Sequence, residues 1–231
     1  MTNITLSDNS VARRLSFFLA MEEYVARQQL SDDAFFLWQV EPSVIYGRNQ
    51  VVENEVNLDY CRDNGIQIYQ RKSGGGCVYA DRDNLMLSFV TSEQQVGFAF
   101  NRFVNMLLLV LRKIGVEATG TRHNDIMIRD HKVCGTACRV TPYGCIVHST
   151  MLYDTNMQHM LHAITPSHEK LAKNGVESVR QRITLLKDYT SLTLEEVKAL
   201  ILSTLCDSER VLMADEVAQI EQIEERYNPK Q

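Results

Sequence analysis

The segment Arg71-Lys72-Ser73-Gly74-Gly75-Gly76-Cys77-Val78-Tyr79 constrains this chain more than any other. Three consecutive glycines separate two apolar, β-prone stretches, Ile66-Gln67-Ile68-Tyr69 and Cys77-Val78-Tyr79. Glycine loses more backbone entropy on folding than any other residue, so three in a row only weaken a strand pair. Their use is to let backbone amides approach a ligand that a Cβ would push away. The neighbouring Arg71 and Lys72 point to an anion, either phosphate or carboxylate.

The rest of the chain must supply the walls of such a site. Its 231 residues suit one large domain or one and a half; nothing splits the chain cleanly, so a single domain over 1–231 is expected, with a helical portion at 187–231. A formal net charge of -5 argues against global attraction to nucleic acid or anionic membrane. No run reaches the length of a membrane span, and Met1-Thr2-Asn3 does not resemble a signal peptide, so a cytoplasmic protein is expected. The six cysteines (Cys61, Cys77, Cys134, Cys138, Cys145, Cys206) then read as thiols. Cys134 and Cys138 have a spacing seen among zinc ligands, but no second close pair follows. On a strand they share one face, as small apolar side chains would.

Hydrophobic periodicity predicts an amphipathic helix over 10–29, with Arg13, Arg14, Glu22 and Glu23 outside its apolar face. Further helices are expected at 57–64, 97–114, 156–163, 167–174, 193–206 and 214–226. Strands are expected at 34–40 and 43–47, joined by a Glu41-Pro42 turn. Others fall at 66–71, 77–80, 84–90, 116–119, 125–129, 132–139 and 144–153. The spacing lacks regular βα alternation. The fold class is therefore α+β, with a mixed, mostly antiparallel sheet flanked by helices.

Two more segments carry chemistry beside the glycine run. One is Tyr46-Gly47-Arg48-Asn49-Gln50, with Glu55 shortly after. The other is Asn124-Asp125-Ile126, a turn at Arg129-Asp130-His131, and then Lys132-Val133-Cys134-Gly135-Thr136-Ala137. The small residues after Lys132 leave space beside the backbone, where its ammonium could face a carboxylate or phosphate. Taken alone it reads first as a solvated lysine at a turn, since exposed lysines are the rule. His148 reads either as a core-edge histidine or as a site residue, and Asp125 as a turn cap or a ligand.

In order and spacing these segments resemble the lipoate–protein ligases of the biotin/lipoate ligase group. The family pattern Arg-Arg-x-Ser-Gly-Gly-Gly-x-Val-Tyr/Phe-His-Asp is matched from Arg71 to Asp81, with a one-residue offset in the paired arginine. Gly47-Arg48-Asn49-Gln50, Asn124-Asp125-Ile126, Lys132–Ala137, His148-Ser149-Thr150-Met151-Leu152 and the stretch Gly175–Thr184 are similar to its other segments, over about 8–190.

The resemblance implies a biotin/lipoate ligase-like catalytic domain without the usual C-terminal accessory domain. The implied reaction activates lipoate or octanoate with ATP and Mg2+ as an acyl-adenylate, then transfers the acyl group to a lysine. It further implies that Lys132 holds carboxylate, acyl carbonyl and phosphate, and that Arg71 binds phosphates. Ser73, Gly74, Gly75, Gly76, Val78, Gly135, Ala137 and His148 would line acyl chain and nucleotide. Asn84, Asn124 and Asp125 would position nucleotide, with Asp125 a candidate for Mg2+. The implied partners are lipoyl acceptor domains of 2-oxoacid dehydrogenases or the glycine-cleavage H protein, and a separate accessory chain. Acceptor docking would use Lys170, Lys173, Arg180 and Arg182, which read equally as a solvated helix face.

The pattern is broken at Ala80, where the family has His, and at Asp83, where it has Gly. Two other readings stay open. One is an acyl transferase working through a cysteine nucleophile, with Cys77, Cys134, Cys138 or Cys145 as candidates. The other is a non-catalytic lipoate-binding module. The Gly-Arg-Gly-Arg-x-Gly-Arg run of biotin ligases is absent.

Overall fold

The computed structural model describes residues 1–8, 11–122, 125–164 and 183–227. The expected helix 167–174, Asn124 and the basic residues Lys170, Lys173, Arg180 and Arg182 lie outside the described residues.

An eight-stranded mixed sheet forms the frame. Its strands are β1 (Thr2–Leu6), β2 (Ala34–Trp38), β6 (Asn84–Thr91), β7 (Thr119–Gly120), β8 (Ile126–Ile128), β9 (His131–Thr141), β10 (Gly144–Leu152) and β11 (Ser208–Leu212). They run in the order β11-β1-β2-β6-β10-β9-β8-β7. From β2 to β7 every pairing is antiparallel; β1 pairs in parallel with both β2 and β11. A second sheet, in the order β4-β3-β5, is built from β3 (Ser43–Tyr46), β4 (Gln67–Gln70) and β5 (Val78–Ala80). The mixed, mostly antiparallel α+β architecture agrees with the sequence reading.

The helices bury their apolar residues in three cores. On one face of the large sheet lies α1 (Leu15–Arg27), itself covered by α7 (Ala214–Glu224). On the other lie α4 (Val96–Lys113) and α6 (Leu194–Leu205). The small sheet packs with α3 (Leu58–Asp63) and α5 (Met157–Ala163); the short α2 (Val52–Glu55) leads into α3. Thr193 and Glu196 form a capping box that starts α6, and Asn57 and Asn156 cap α3 and α5.

The strands on either side of Glu41-Pro42 lie in different sheets, β2 in the large one and β3 in the small one, so this turn is where the chain changes sheets. Two expectations change. The 187–231 portion is not solely helical, because β11 extends the main sheet through β1, register Thr2↔Ser208 to Leu6↔Leu212. Glu22 and Glu23 do not face solvent. They are 3% and 7% exposed, because α1 is enclosed by the sheet, the glycine-rich segment and the C-terminal elements.

Candidate active site

A cavity of about 470 Å³ opens between the two sheets. Leu19 of α1, Trp38 of β2, Ile45 of β3 and Met86 of β6 supply apolar wall, and Met160 and Leu161 of α5 add to it. Its polar side comes from the glycine-rich loop and from β9 and β10. Arg71, Gly75, Gly76, Val78, Asp125, Lys132, Gly135, Ala137 and His148, all expected from the sequence, line one space. Ser73, Gly74 and Asn84 do not line it. Asn84 is fully buried, and its amide donates to Thr155 Oγ1 at 2.7 Å.

Lys132 sits at the start of β9 with its Nζ 2.8 Å from Asp125 Oδ1. Gly135 makes this possible: a Cβ there would lie 2.8 Å from both Cε and Nζ of Lys132. Its absence lets the lysine lie across the strand toward Asp125. The pair is partly open to the cavity, with the lysine side chain 38% exposed, so a ligand anion can reach the ammonium.

The glycine loop is shaped from within by Arg71. The resemblance implies a phosphate contact for this residue; in the structure it lines the cavity and its guanidinium donates to the carbonyl oxygens of Gly74 (2.7 Å), Gly76 (2.7 Å) and Ile45 (3.1 Å). Burial lowers it to about 10, so it stays protonated at neutral pH. Gly75 adopts φ +94°, a conformation costly for any residue with a Cβ. With carbonyls drawn to Arg71, the loop keeps the backbone turn that brings Gly75 and Gly76 to the cavity wall.

The other anchor of the loop was not found from sequence. Glu22, nearly inaccessible on α1, accepts from Ser88 Oγ at 2.6 Å and faces His148 Nδ1 at 3.0 Å. Trp38 Nε1 donates to Ser88 Oγ at 2.8 Å, which orients that hydroxyl toward the carboxylate. On its other side His148 Nε2 lies 2.7 Å from Ser73 Oγ, so the ring bridges Glu22 to Ser73. Ser73 is thus tied to the large sheet one residue before the glycines. Lys72, expected to draw in an anion, pairs with Glu23 at 2.7 Å.

Asp81, the last matched residue of the glycine segment, accepts from the backbone amides of Asp83 and Asn156, joining the end of β5 to the start of α5. Ala80 is fully buried and pairs with Ser43 across β3 and β5.

Residues 15–206 match the family model of the lipoyl protein ligase A/B catalytic domain. The chain belongs to this family. The lipoate-protein ligase LplJ of Bacillus subtilis (strain 168) is 32% identical over 188 residues, which are 80% of this chain and 57% of that one. The chain thus spans a little over half the length of this curated relative. A solved structure of a bi-partite lipoate protein ligase with its E2 lipoyl domain, from Thermoplasma acidophilum, superposes with a TM-score of 0.82. It is 26% identical and covers 97% of this chain and 92% of its own. A lipoate-protein ligase A bound with ATP shares the fold, at a TM-score of 0.82 and 24% identity over 97% of this chain and 94% of its own.

Within this lipoyl ligase fold the cysteines are poorly placed for nucleophilic work. Of the described cysteines only Cys77 lines the cavity, and burial, with the charge of Glu55 adding, pushes its thiol up to about 12. Cys134 and Cys138 are likewise pushed up by burial, each to about 12. A thiolate is the reactive form, and none of these sites favours it. Among the described residues no helix is long and apolar enough to cross a membrane.

Proposed function

We propose that this protein is a cytoplasmic lipoate–protein ligase that activates lipoate or octanoate with ATP and transfers the acyl group to a lysine of a lipoyl acceptor domain. The observation that carries this reading is Lys132 beside Asp125 at the polar end of a cavity whose other walls are apolar. An acid with a long apolar tail fits such a space tail-first, leaving its carboxylate near the ammonium.

The residues then divide the work. Lys132 neutralises the substrate carboxylate and, as a carboxylate oxygen attacks the α-phosphate and pyrophosphate leaves, the charge developing on the phosphoryl oxygens. The same fixed charge stabilises the acyl carbonyl of the resulting acyl-adenylate when the neutral amine of the acceptor lysine attacks and AMP leaves. A preorganised donor needs no reorganisation at either step. Gly75 and Gly76 supply backbone without side-chain bulk beside the nucleotide. Their loop is held by Arg71 from within and by Ser73 through His148. Asp125 keeps Lys132 in place through one oxygen.

For Mg2+, the carboxylates on the cavity wall are Asp125 and Glu55. Mg2+ is commonly held by one or two carboxylates together with substrate phosphates, and Asp125 suits that role through its second oxygen. Bound there, the ion would offset phosphate charge.

Acceptors are expected among the lipoyl domains of 2-oxoacid dehydrogenases or the glycine-cleavage H protein. The archaeal bi-partite ligase supports a separate accessory chain as a partner. The thioester-transferase alternative is disfavoured by the raised thiol of Cys77. Lipoate-dependent ATP–pyrophosphate exchange tests the proposal, read beside the mass of an acceptor domain incubated with lipoate and ATP or with octanoyl carrier. Exchange and a mass gain with lipoate and ATP are expected. Loading from octanoyl carrier alone, with no exchange, would overturn the ligase reading.

A further inference from the structure

Arg71 and Lys72 are neighbours in sequence but hold opposite sides of the glycine-rich loop. Arg71 turns inward to the loop carbonyls. Lys72 turns away, and its ammonium lies 2.7 Å from Glu23 Oε2 on α1. That oxygen also accepts from Arg139 of β9 at 3.1 Å and from the Tyr227 hydroxyl at 3.1 Å. Arg139 reaches the Tyr227 oxygen as well, at 3.3 Å. The Lys72 ammonium stands 4.0 Å from the centroid of the Tyr227 ring. Tyr227 ends a single helical turn, Glu225–Tyr227, that follows α7, and is 6% exposed. Burial raises its phenol far above the ordinary value, so it stays a neutral donor.

We propose that Tyr227 is a positioning residue for the glycine-rich loop, so that the turn after α7 takes part in nucleotide binding from behind the site. Its nucleotide half rests on the ligase reading above. The Lys72 side chain is 33% exposed, and an ion pair left open to water contributes little. The Tyr227 ring covers one side of the ammonium and attracts it, and the ring rather than the hydroxyl is what holds Lys72, because Glu23 keeps Arg139 as a partner without that hydroxyl. Lys72 directly precedes Ser73, whose carbonyl accepts from Arg48 N at 2.9 Å and whose hydroxyl reaches His148. Releasing Lys72 frees the backbone on this side of Ser73 and loosens the glycines that follow. Tyr227 is itself held because α7 is tied to α1, Arg13 to Glu221 at 2.6 Å and Ser16 to Glu224 at 2.5 Å.

The test compares wild type, Tyr227→Phe, Tyr227→Leu, Lys72→Met and the double variant Lys72→Met/Tyr227→Leu. Amide hydrogen exchange over 72–77 and the KM for ATP in lipoate-dependent pyrophosphate exchange are the readouts. Tyr227→Leu should speed exchange over 72–77 and raise KM for ATP about five- to tenfold, with kcat within about twofold. Tyr227→Phe keeps the ring over Lys72 and should stay within about twofold of wild type. In the Lys72→Met background, Tyr227→Leu should add nothing, because both act through one contact. Wild-type loop exchange in Tyr227→Leu would overturn the proposal. So would full additivity with Lys72→Met, or faster exchange confined to α7 and α1 without a KM change. If wild type shows no lipoate-dependent exchange, the ligase reading falls, while the loop exchange rates still decide the positioning role.

Discussion

Lys132 Nζ lies 2.8 Å from Asp125 Oδ1, spanning from β9 to the residue before β8. The pair is local in sequence and its geometry depends on a hairpin. Ile126 pairs with Cys134, and a register irregularity at Ile126/Met127 brings Met127 opposite Lys132. The hairpin sets the lysine beside Asp125, and Gly135 leaves room for it to lie there.

Replacing this lysine tests the proposed chemistry most directly. Lys132→Ala should lower lipoate-dependent pyrophosphate exchange by about 10²-fold or more, the scale of losing one preorganised charge-stabilising donor. The side chain is partly exposed, so thermal unfolding should shift little. Wild-type exchange in the variant would remove Lys132 from the mechanism.

Gly135→Ala probes the same geometry without touching a charge. The added Cβ falls 2.8 Å from Cε and Nζ of Lys132, at the far end of a flexible side chain that can move away. The fold should therefore survive with a melting temperature close to wild type. Displacing the ammonium by about 1 Å should cost about 10- to 10²-fold in exchange rate. Circular dichroism melts beside the exchange assay separate the two effects; an unchanged rate would mean the lysine need not lie where the glycine lets it.

Residue types alone mark the glycine run as an anion loop; Lys132, Asp125 and His148 each keep a bland reading, and only the ordered resemblance to a family puts them in one site, where the structure has them lining one cavity. The two glutamates of α1 are legible in neither way. Helical periodicity puts Glu22 and Glu23 opposite the apolar face, and only the fold shows that His148, Ser88, Lys72, Arg139 and Tyr227 converge there. Arg71 was legible as a cation beside a glycine loop. Whether it serves a ligand or the loop's own carbonyls depends on where those carbonyls point, which residue types do not encode. The pairing of β1 with β11 joins strands from opposite ends of the chain, so no local pattern announces it.

Cys77 separates ligation from thioester transfer. Its thiol, pushed up to about 12, is almost wholly protonated at neutral pH. Cys77→Ala should therefore load an acceptor domain from lipoate and ATP at a rate within about threefold of wild type, because no nucleophile is lost. Iodoacetamide should label this position slowly at pH 8 in the native protein. Loss of acceptor loading in Cys77→Ala, with pyrophosphate exchange intact, would favour a covalent acyl-cysteine route.

Glu23 gives stability a pH dependence whose sign follows from its surroundings. Burial opposes its ionisation, yet hydrogen bonds from Lys72, Arg139 and Tyr227 prevail and lower its carboxyl from 4.5 to about 2. The folded state therefore binds the proton less readily than the unfolded chain. The contribution is fully present above the unfolded value, and it is lost as pH falls from about 4.5 through about 2. Its size is on the order of 1–3 kcal/mol. Glu23→Gln removes this component and leaves Lys72 and Arg139 without their shared counter-charge. The variant should be less stable than wild type at pH 7 by about 2–4 kcal/mol, and the gap should narrow toward pH 3. Urea unfolding of both proteins at pH 7, 5, 4 and 3 measures this. A gap that stays constant across the series would show that the Glu23 carboxyl is not held low by its partners.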